Sequence, residues 1–577
     1  MRKERMMRTV LKCLALVPLL FVSAGAAAEM QGPTEAGSVT MCPATCEPAD
    51  GGTFTIAARG SILPFPWKSS ENHQFTRLNF GNLFVLDPFN NALLPDLATH
   101  WEVSDDLTKG TFHLREGVQF HDGTPLTARH VEWSYLLTMN PRAEGADFLM
   151  QAARLTELKG AQAYIDGTAD RVEGITVVDD HTIVFETAVP NGNFFERVGK
   201  VYILPAHLFE DTPMENLPSI DWMSTDVRIG TGPFVFEEYV EGQYVAGAAN
   251  ENYWAGRPYL DRVVMRFFEE YETGTLAFEK GEADLLEFLS AQDVSRYGAD
   301  PQGFVFLRGQ PLSPNYINIA DHPALEDERV RQAISFAINR QQLIDVLIPN
   351  GLRDPMYTLF PADHVMFNPD AAAYPFDPER AKELLAEANW DPDVVVELAT
   401  YYNSQEALDW LVFIQQQLAA AGMKVDVRQM DWPDMEKAGE AGELNLWFTG
   451  YSNDVVGDHL AYFGAGGAWN YGEYNNPEYD ELMTAASRSG GDELRQIYMS
   501  MQEIFNQELP GIPIWNRTKF SLVKPTFCGV TEQWTDQHFS YLNENNIYMC
   551  EGATGTVSVK PGTPASLAHP GYVVEGQ

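Results

Sequence analysis

The sequence predicts an α/β fold built from more than one lobe. Three observations carry that expectation: 577 residues of which 45% are apolar, a helix-then-strand rhythm between Asp327 and Met430, and paired alternating runs between Gly230 and Phe268. Such length and apolar content permit a large core divided among two or three domains. Helices followed by strands at this spacing imply a layered α/β lobe.

In chain order, the first 28 residues carry Arg2, Lys3, Arg5, Arg8 and Lys12, an apolar run from Leu14 to Val22, then Ala26, Ala27 and Ala28. This is the pattern of a secretory signal cleaved after Ala28, with an apolar core too short to span a bilayer. Cys13 has no small residues before it and does not suit lipidation. Residues 29–51 are small and polar and read as a flexible lead. The run TFTIAAR from Thr53 alternates like a strand, and Pro64 and Pro66 hold the next segment extended.

Thr111 to Leu114 and Val118 to His121 read as short strands, with Asp122 and Gly123 as a turn pair that tolerates positive φ. Thr127 then caps a helix that Pro141 stops. Residues 172–190 form a hairpin turning at Asp179 and Asp180, and Val201 to Phe209 reads as a buried strand. Gly230, Gly232 and Pro233 turn into a strand that continues across a hairpin at Glu241 and Gly242.

Asp327 precedes a helical segment whose Val330, Ala333, Ile334, Ala337 and Ile338 share a face. Asp377 caps a second helix whose first position is Pro378. A third runs from Ser404 to Gly422 and leads into the strand MKVDVRQM. Residues 551–577, rich in Gly, Pro, Ser and Thr, read as a mobile tail.

The chain holds 39 basic and 81 acidic residues, a balance of −42, and removing the signal's five basic and one acidic residues takes it to about −46. Nucleic acid and anionic membranes would repel such a surface. Outside the signal four cysteines remain: Cys42, Cys46, Cys528 and Cys550. Export favours disulfides; three pairings are possible, and Cys42 with Cys46 and Cys528 with Cys550 are preferred because short loops close easily. The rival, four thiolates on zinc, lacks zinc-ribbon spacing.

Reaction chemistry is not legible. No phosphate-cradling Gly-rich loop with a following Lys and Ser or Thr appears, nor a helical two-histidine zinc motif. The twelve histidines are scattered, and His121 in FHDGT suits a turn better than a ligand role. Adjacent acids such as Asp105 with Asp106, or Glu269 with Glu270, are expected by chance in so acidic a chain and say little for glycosidase chemistry.

The stretch from Leu93 to Tyr135, the Gly230 to Phe268 block with its NENYWAGRPYLD, and the helices after Asp327, Asp377 and Ser404 together resemble the family 5 extracellular solute-binding proteins, over nearly all of residues 52–530. The resemblance implies a periplasmic binding protein of type II (cluster C): two lobes joined by a hinge, plus an inserted domain. Mapped here, residues 52–83, 203–312 and 519–550 form the first lobe, 84–202 the inserted domain and 313–518 the second lobe. It also implies a monomeric periplasmic receptor without cofactor. The receptor captures a small peptide and delivers it to an ABC permease with its ATPase subunits. An oligosaccharide ligand is the alternative within the family. An exported peptide or glycoside hydrolase and a sensory or chaperone-like binding protein are the readings from other classes.

The same resemblance points to ligand residues between Leu446 and Leu482. There a strand breaks at Gly450 into a polar loop bearing Ser452, Asn453, Asp454 and Asp458. Asp454 falls where peptide-binding relatives meet the α-ammonium of the ligand; an Asx turn or helix cap is its other reading. Trp432 and Tyr451 match positions where aromatic rings flank the ligand, and such rings grip varied partners through broad polarisable faces. Phe65 and Trp67 are expected to close the cleft from the opposite lobe, and Trp515 to lie where the chain returns through the hinge. Trp254 and Trp447 suit core packing. Phe448 stands where some relatives place an arginine for a ligand carboxylate, which puts a carboxylate anchor at that position in doubt.

Overall fold

The computed structural model describes residues 37–40, 48, 50–60, 62, 64–67, 73–86, 93–143, 153–191, 194–195, 197–309, 313–320, 322–348, 353–362, 366–451, 462–464, 470, 474–486, 489, 491–530, 547–550 and 556–559. Two large mixed sheets organise it. The first has seven strands in the order 305–309, 519–523, 285–286, 53–59, 262–268, 244–249, 234–240. Thr53–Arg59 runs parallel to both of its neighbours, while the outer pairs are antiparallel. Alternation along that strand sends Phe54, Ile56 and Ala58 into one apolar cluster with Phe75, Met265 and Val523, and Ala57 into a second with Phe278 and Leu522. Both faces of the sheet are therefore covered, as a sheet with parallel strands at its centre requires.

The second sheet has six strands in the order 353–355, 511–517, 314–319, 446–450, 395–400, 424–429. Its helices are fixed by their ends. Asp377 accepts from the Arg380 amide at 3.0 Å with Pro378 as first residue, and Ser404 accepts from the Ala407 amide at 3.2 Å. The 405–421 helix ends at Gly422 with φ of 101°, a left-handed cap that favours glycine. Each side-chain cap contributes about 1 kcal/mol. The segment after Asp327 is two helices, Glu328–Ala337 and Arg340–Leu347, rather than one. Asn339 breaks it by accepting from the Gln342 amide, and Arg340 turns inward to bond Pro513 O and Ser335.

A third unit lies between these in sequence: a four-stranded antiparallel sheet, 98–103, 109–114, 182–186 and 175–179, with helix Ala128–Thr138 against it. Two expected strands are absent here. Val118 to His121 makes only an isolated bridge, Gln119 with Pro125, because the chain reverses at once at Gly123 (φ 88°). Val201 to Phe209 is buried but threads between elements. Ile203 donates to Gly81 O, Leu204 to Ser134 Oγ, and Pro205 has no donor to give.

The lead and the tail each contribute a strand. Gly37–Thr40 pairs antiparallel with Thr556–Val559, a correction to reading these segments as wholly flexible and mobile. A second ribbon pairs Phe527–Cys528 with Tyr548–Met549, and Cys528 and Cys550 pack together there, buried. Cys42, Cys46 and the cleavage position at Ala28 lie outside the described residues.

Candidate functional site

The two large sheets are joined where the chain passes between them twice. Strand 305–309 of the first leads into strand 314–319 of the second, and strand 511–517 of the second returns to strand 519–523 of the first. The passages are tied side by side: the Ser313 amide donates to Asn516 Oδ1 at 3.0 Å and the Arg517 amide to Ser313 O at 3.2 Å. Two short adjacent connections of this kind make a hinge between rigid sheets.

Polar and aromatic side chains gather beside it. Register places Asn315 opposite both Gly450 and Trp515. Trp515 Nε1 donates to Asn315 Oδ1 at 2.9 Å, and Asn315 Nδ2 donates to Tyr402 Oη at 3.1 Å. Arg517 reaches the same phenol at 3.4 Å. A Cβ at Gly450 would stand 2.7 Å from both Asn315 Nδ2 and Tyr402 Oη, so any side chain there would force one of them to shift. Tyr401 lies 4.5 Å from Tyr402 and meets Trp432 edge-on at 5.1 Å. Burial and then Tyr402 push the Tyr401 phenol above its ordinary value, which keeps it neutral.

The first sheet contributes Arg59, at the end of its central strand, which donates to Tyr271 Oη at 2.9 Å with its guanidinium 4.6 Å from that ring. Arg353 stands in register with Arg517. Its half-buried guanidinium is pulled from the usual arginine value to about 10, by burial first and then by Arg517. A hollow of about 490 Å³ lies at the opposite edge of the first sheet, lined by Glu238, Tyr244, Arg262 and Arg266. There Arg262 already bonds Glu237 and Glu238, and Arg266 bonds Glu282. The hinge region is the better candidate.

The expected site residues divide. Trp432 opens helix Trp432–Glu440 half-buried. Tyr451 is only 7% exposed, packs on Tyr462, and donates to Asn318 Oδ1 at 3.1 Å. Trp515 is fully buried against Trp410 and Phe448, so its ring has no surface to offer a ligand. Trp67 is 1% exposed against Trp222, and Phe65 packs half-buried on that cluster. For Trp67 and Trp515 a ligand-contact role is corrected, since packing in a dense aromatic core outweighs access, while Trp515 does lie on the strand that leads back to the first sheet. Asn453 and Asp454 lie outside the described residues. Phe448 is fully buried.

His121, His130 and His207 tie turns and helix starts together. His121 Nε2 donates to Gly232 O and its Nδ1 accepts from the Gly230 amide. His130 Nδ1 accepts from the Thr127 amide, its Nε2 donates to His207, and His207 donates to Asp122 at 2.8 Å. Among the described residues no group of three or more His, Cys, Asp or Glu could hold a metal ion, and no helix is long and apolar enough to cross a membrane.

The sequence profile of the bacterial extracellular solute-binding proteins, family 5, matches residues 92–471. The chain belongs to family 5. A Brucella ovis protein named for ABC-transporter peptide binding is 30% identical over 438 residues, 74% of this chain and 78% of the relative. Heme-binding protein A of Haemophilus influenzae is 27% identical over 465 residues, 76% of this chain and 81% of that one. The unliganded open form of the periplasmic murein tripeptide-binding protein MppA superposes with a TM-score of 0.74 at 21% identity, covering 89% of this chain and 98% of that one. The fold is that of the family 5 periplasmic binding proteins, the type II arrangement of two lobes.

Sequence reasoning missed Tyr402, Asn315, Arg353, Arg517, Arg59 and Tyr271. Tyr402 sits two residues past strand 395–400, and Arg517 is the last residue of strand 511–517, positions that alternation alone does not mark as functional. Asn315 and Arg353 become visible only through strand register.

Proposed function

We propose that this chain is the extracytoplasmic receptor of an ABC importer, closing around a small peptide and presenting it to a membrane permease with its ATPase subunits. The observation that carries this reading is the pair of hinge passages with Tyr402, Asn315 and Arg517 gathered beside them. Cargo bridging the lobes gains contacts that the open state lacks, and the population shifts by that difference in affinity. Peptide cargo is supported by the names of relatives that bind peptides and a murein tripeptide.

In this reading the signal is removed after Ala28, the mature chain works in the periplasm as a monomer, and the lobes divide near residues 312 and 518. Asp454 meets the cargo's ammonium, and Trp432 stacks on it. Cys528 and Cys550 form a bridge that locks the ribbon, which their adjacency supports. The test is a thermal-shift screen of di- and tripeptides, heme and oligosaccharides, followed by Asp454→Ala. A peptide should raise the melting temperature, and the substitution should weaken its binding by two or more decades, since an unpaired buried charge costs roughly 3–5 kcal/mol. Stabilisation by oligosaccharides alone would replace peptide as cargo.

A further inference from the structure

Three imidazoles stitch the four-stranded unit to the segments that lead into the seven-stranded sheet. His121 Nδ1 accepts from the Gly230 amide at 3.2 Å, so its Nε2 carries the proton donated to Gly232 O at 3.0 Å. Gly232 itself donates to Asn79 O at 2.9 Å, which holds that segment against helix His73–Asn79. His130 Nδ1 accepts from the Thr127 amide at the start of helix Ala128–Thr138, so its Nε2 donates to His207 Nδ1 at 3.2 Å. His207, on the turn Ala206–Leu208, is left with its Nε2 proton for Asp122. Each ring is thus neutral, with one proton and one lone pair, and both are spent. An added proton has no place. On His121 it sets one N–H against that of Gly230. On His207 it meets the Nε2 proton of His130, and if His130 moves that proton to Nδ1 it meets the Thr127 N–H. Asp122 acts on all three rings, and it also accepts from the Thr124 amide. Arg129 and Glu132 share the helix of His130, Glu210 and Asp211 follow His207, Arg228 precedes Gly230, and Asp180 meets the helix start through its carbonyl. None of these bonds a ring.

We propose that His121, His130 and His207 form an acid-opened latch, whose protonation releases the four-stranded unit from segments 203–208 and 230–232 and leaves the six-stranded sheet in place. Burial favours the neutral rings while the latch is closed, and holds His121 and His130 at about 4 against the ordinary 6.5. The open latch binds protons first. As pH falls from about 6.5 to 4, each of these two rings therefore raises the opening equilibrium by up to about tenfold per pH unit. The three rings bond and stack among themselves and on Phe120, not on the six-stranded sheet, so the opening is local. The latch works in the same way whatever the cargo is.

The test is hydrogen exchange of the full mature chain at pH 7 and pH 5, each expressed relative to the free-chain rate at that pH. Protection over residues 118–131 and 203–232 should fall at least about tenfold at pH 5, while residues 395–429 of the six-stranded sheet keep theirs. His121→Asn combined with His207→Gln supplies amide donors and acceptors that do not titrate. In that variant the fall should shrink to about threefold or less. The nitrogen-15 spectrum of the histidine-labelled wild type needs no variant to fold: at pH 7 the three rings should each show a protonated Nε2 and a bare Nδ1. Equal protection at both pH values, an even loss across all these regions, or charged rings at these positions at pH 7 would each overturn the latch. So would an undiminished fall in the paired variant.

Discussion

Thr518, the residue between the returning strand of one sheet and the next strand of the other, donates its hydroxyl to Asp354 at 2.6 Å. Asp354 also accepts from Arg308 at 3.1 Å, so a single carboxylate ties both sheets to the passage between them. Thr518 itself is buried, so its contact is partly shielded, whereas both partners of the ion pair have side chains 40% exposed. Thr518→Val should therefore lower unfolding free energy by about 1 kcal/mol, and Arg308→Ala by about 0–1 kcal/mol. Urea titration of the two variants measures the difference.

Gly450→Ala should be destabilising by about 1–3 kcal/mol, because the added methyl meets Asn315 and Tyr402 at 2.7 Å. Either partner can yield only by giving up the bond between them. A fall in melting temperature together with weakened cargo binding is the expected result.

Arg340→Ala should cost roughly 1–3 kcal/mol for each buried acceptor it leaves unsatisfied. The side chain is 1% exposed and bonds Pro513 O at 2.6 Å and Ser335 Oγ at 2.7 Å. Its removal strands those acceptors in the core. Loss of cooperative unfolding at 37 °C would mark the larger end of that range.

Stability should fall on acidification. Burial holds His121 at about 4 and His130 at about 4, below the ordinary value of 6.5. The unfolded chain binds those protons first, so stability is lost as pH drops from about 6.5 to 4, at up to about 1.4 kcal/mol per pH unit for each histidine. Asp96, raised by burial to about 6, has the opposite sign and weakens the fold as pH rises from about 4 to 6. Two histidines outweigh one carboxylate. Urea midpoints should be lower at pH 5 than at pH 7, and His121→Asn should flatten that slope.

Much of the fold was legible because its elements carry local instructions. Asp377 before Pro378, Ser404 against Gly422, and the Gly242 turn (φ 67°) each state where an element begins or ends. Val201 to Phe209 was misread because burial without alternation does not separate a strand from a threaded segment. The site was less legible. Trp515 and Trp67 are aromatic residues that a cleft and a core claim equally in sequence, and only packing against Trp410 and Trp222 decides between them. Arg353 and Arg517 lie far apart in the chain and acquire meaning only when register sets them opposite each other.

The central claim is that two lobes swing about the two passages that join strand 305–309 to strand 314–319 and strand 511–517 to strand 519–523, and so enclose cargo. Small-angle X-ray scattering of the mature chain, with and without a saturating mixture of di- and tripeptides, tests it most directly. The radius of gyration should fall on addition, with the molecular mass still that of one chain. An unchanged radius with peptide demonstrably bound would contradict the hinged receptor.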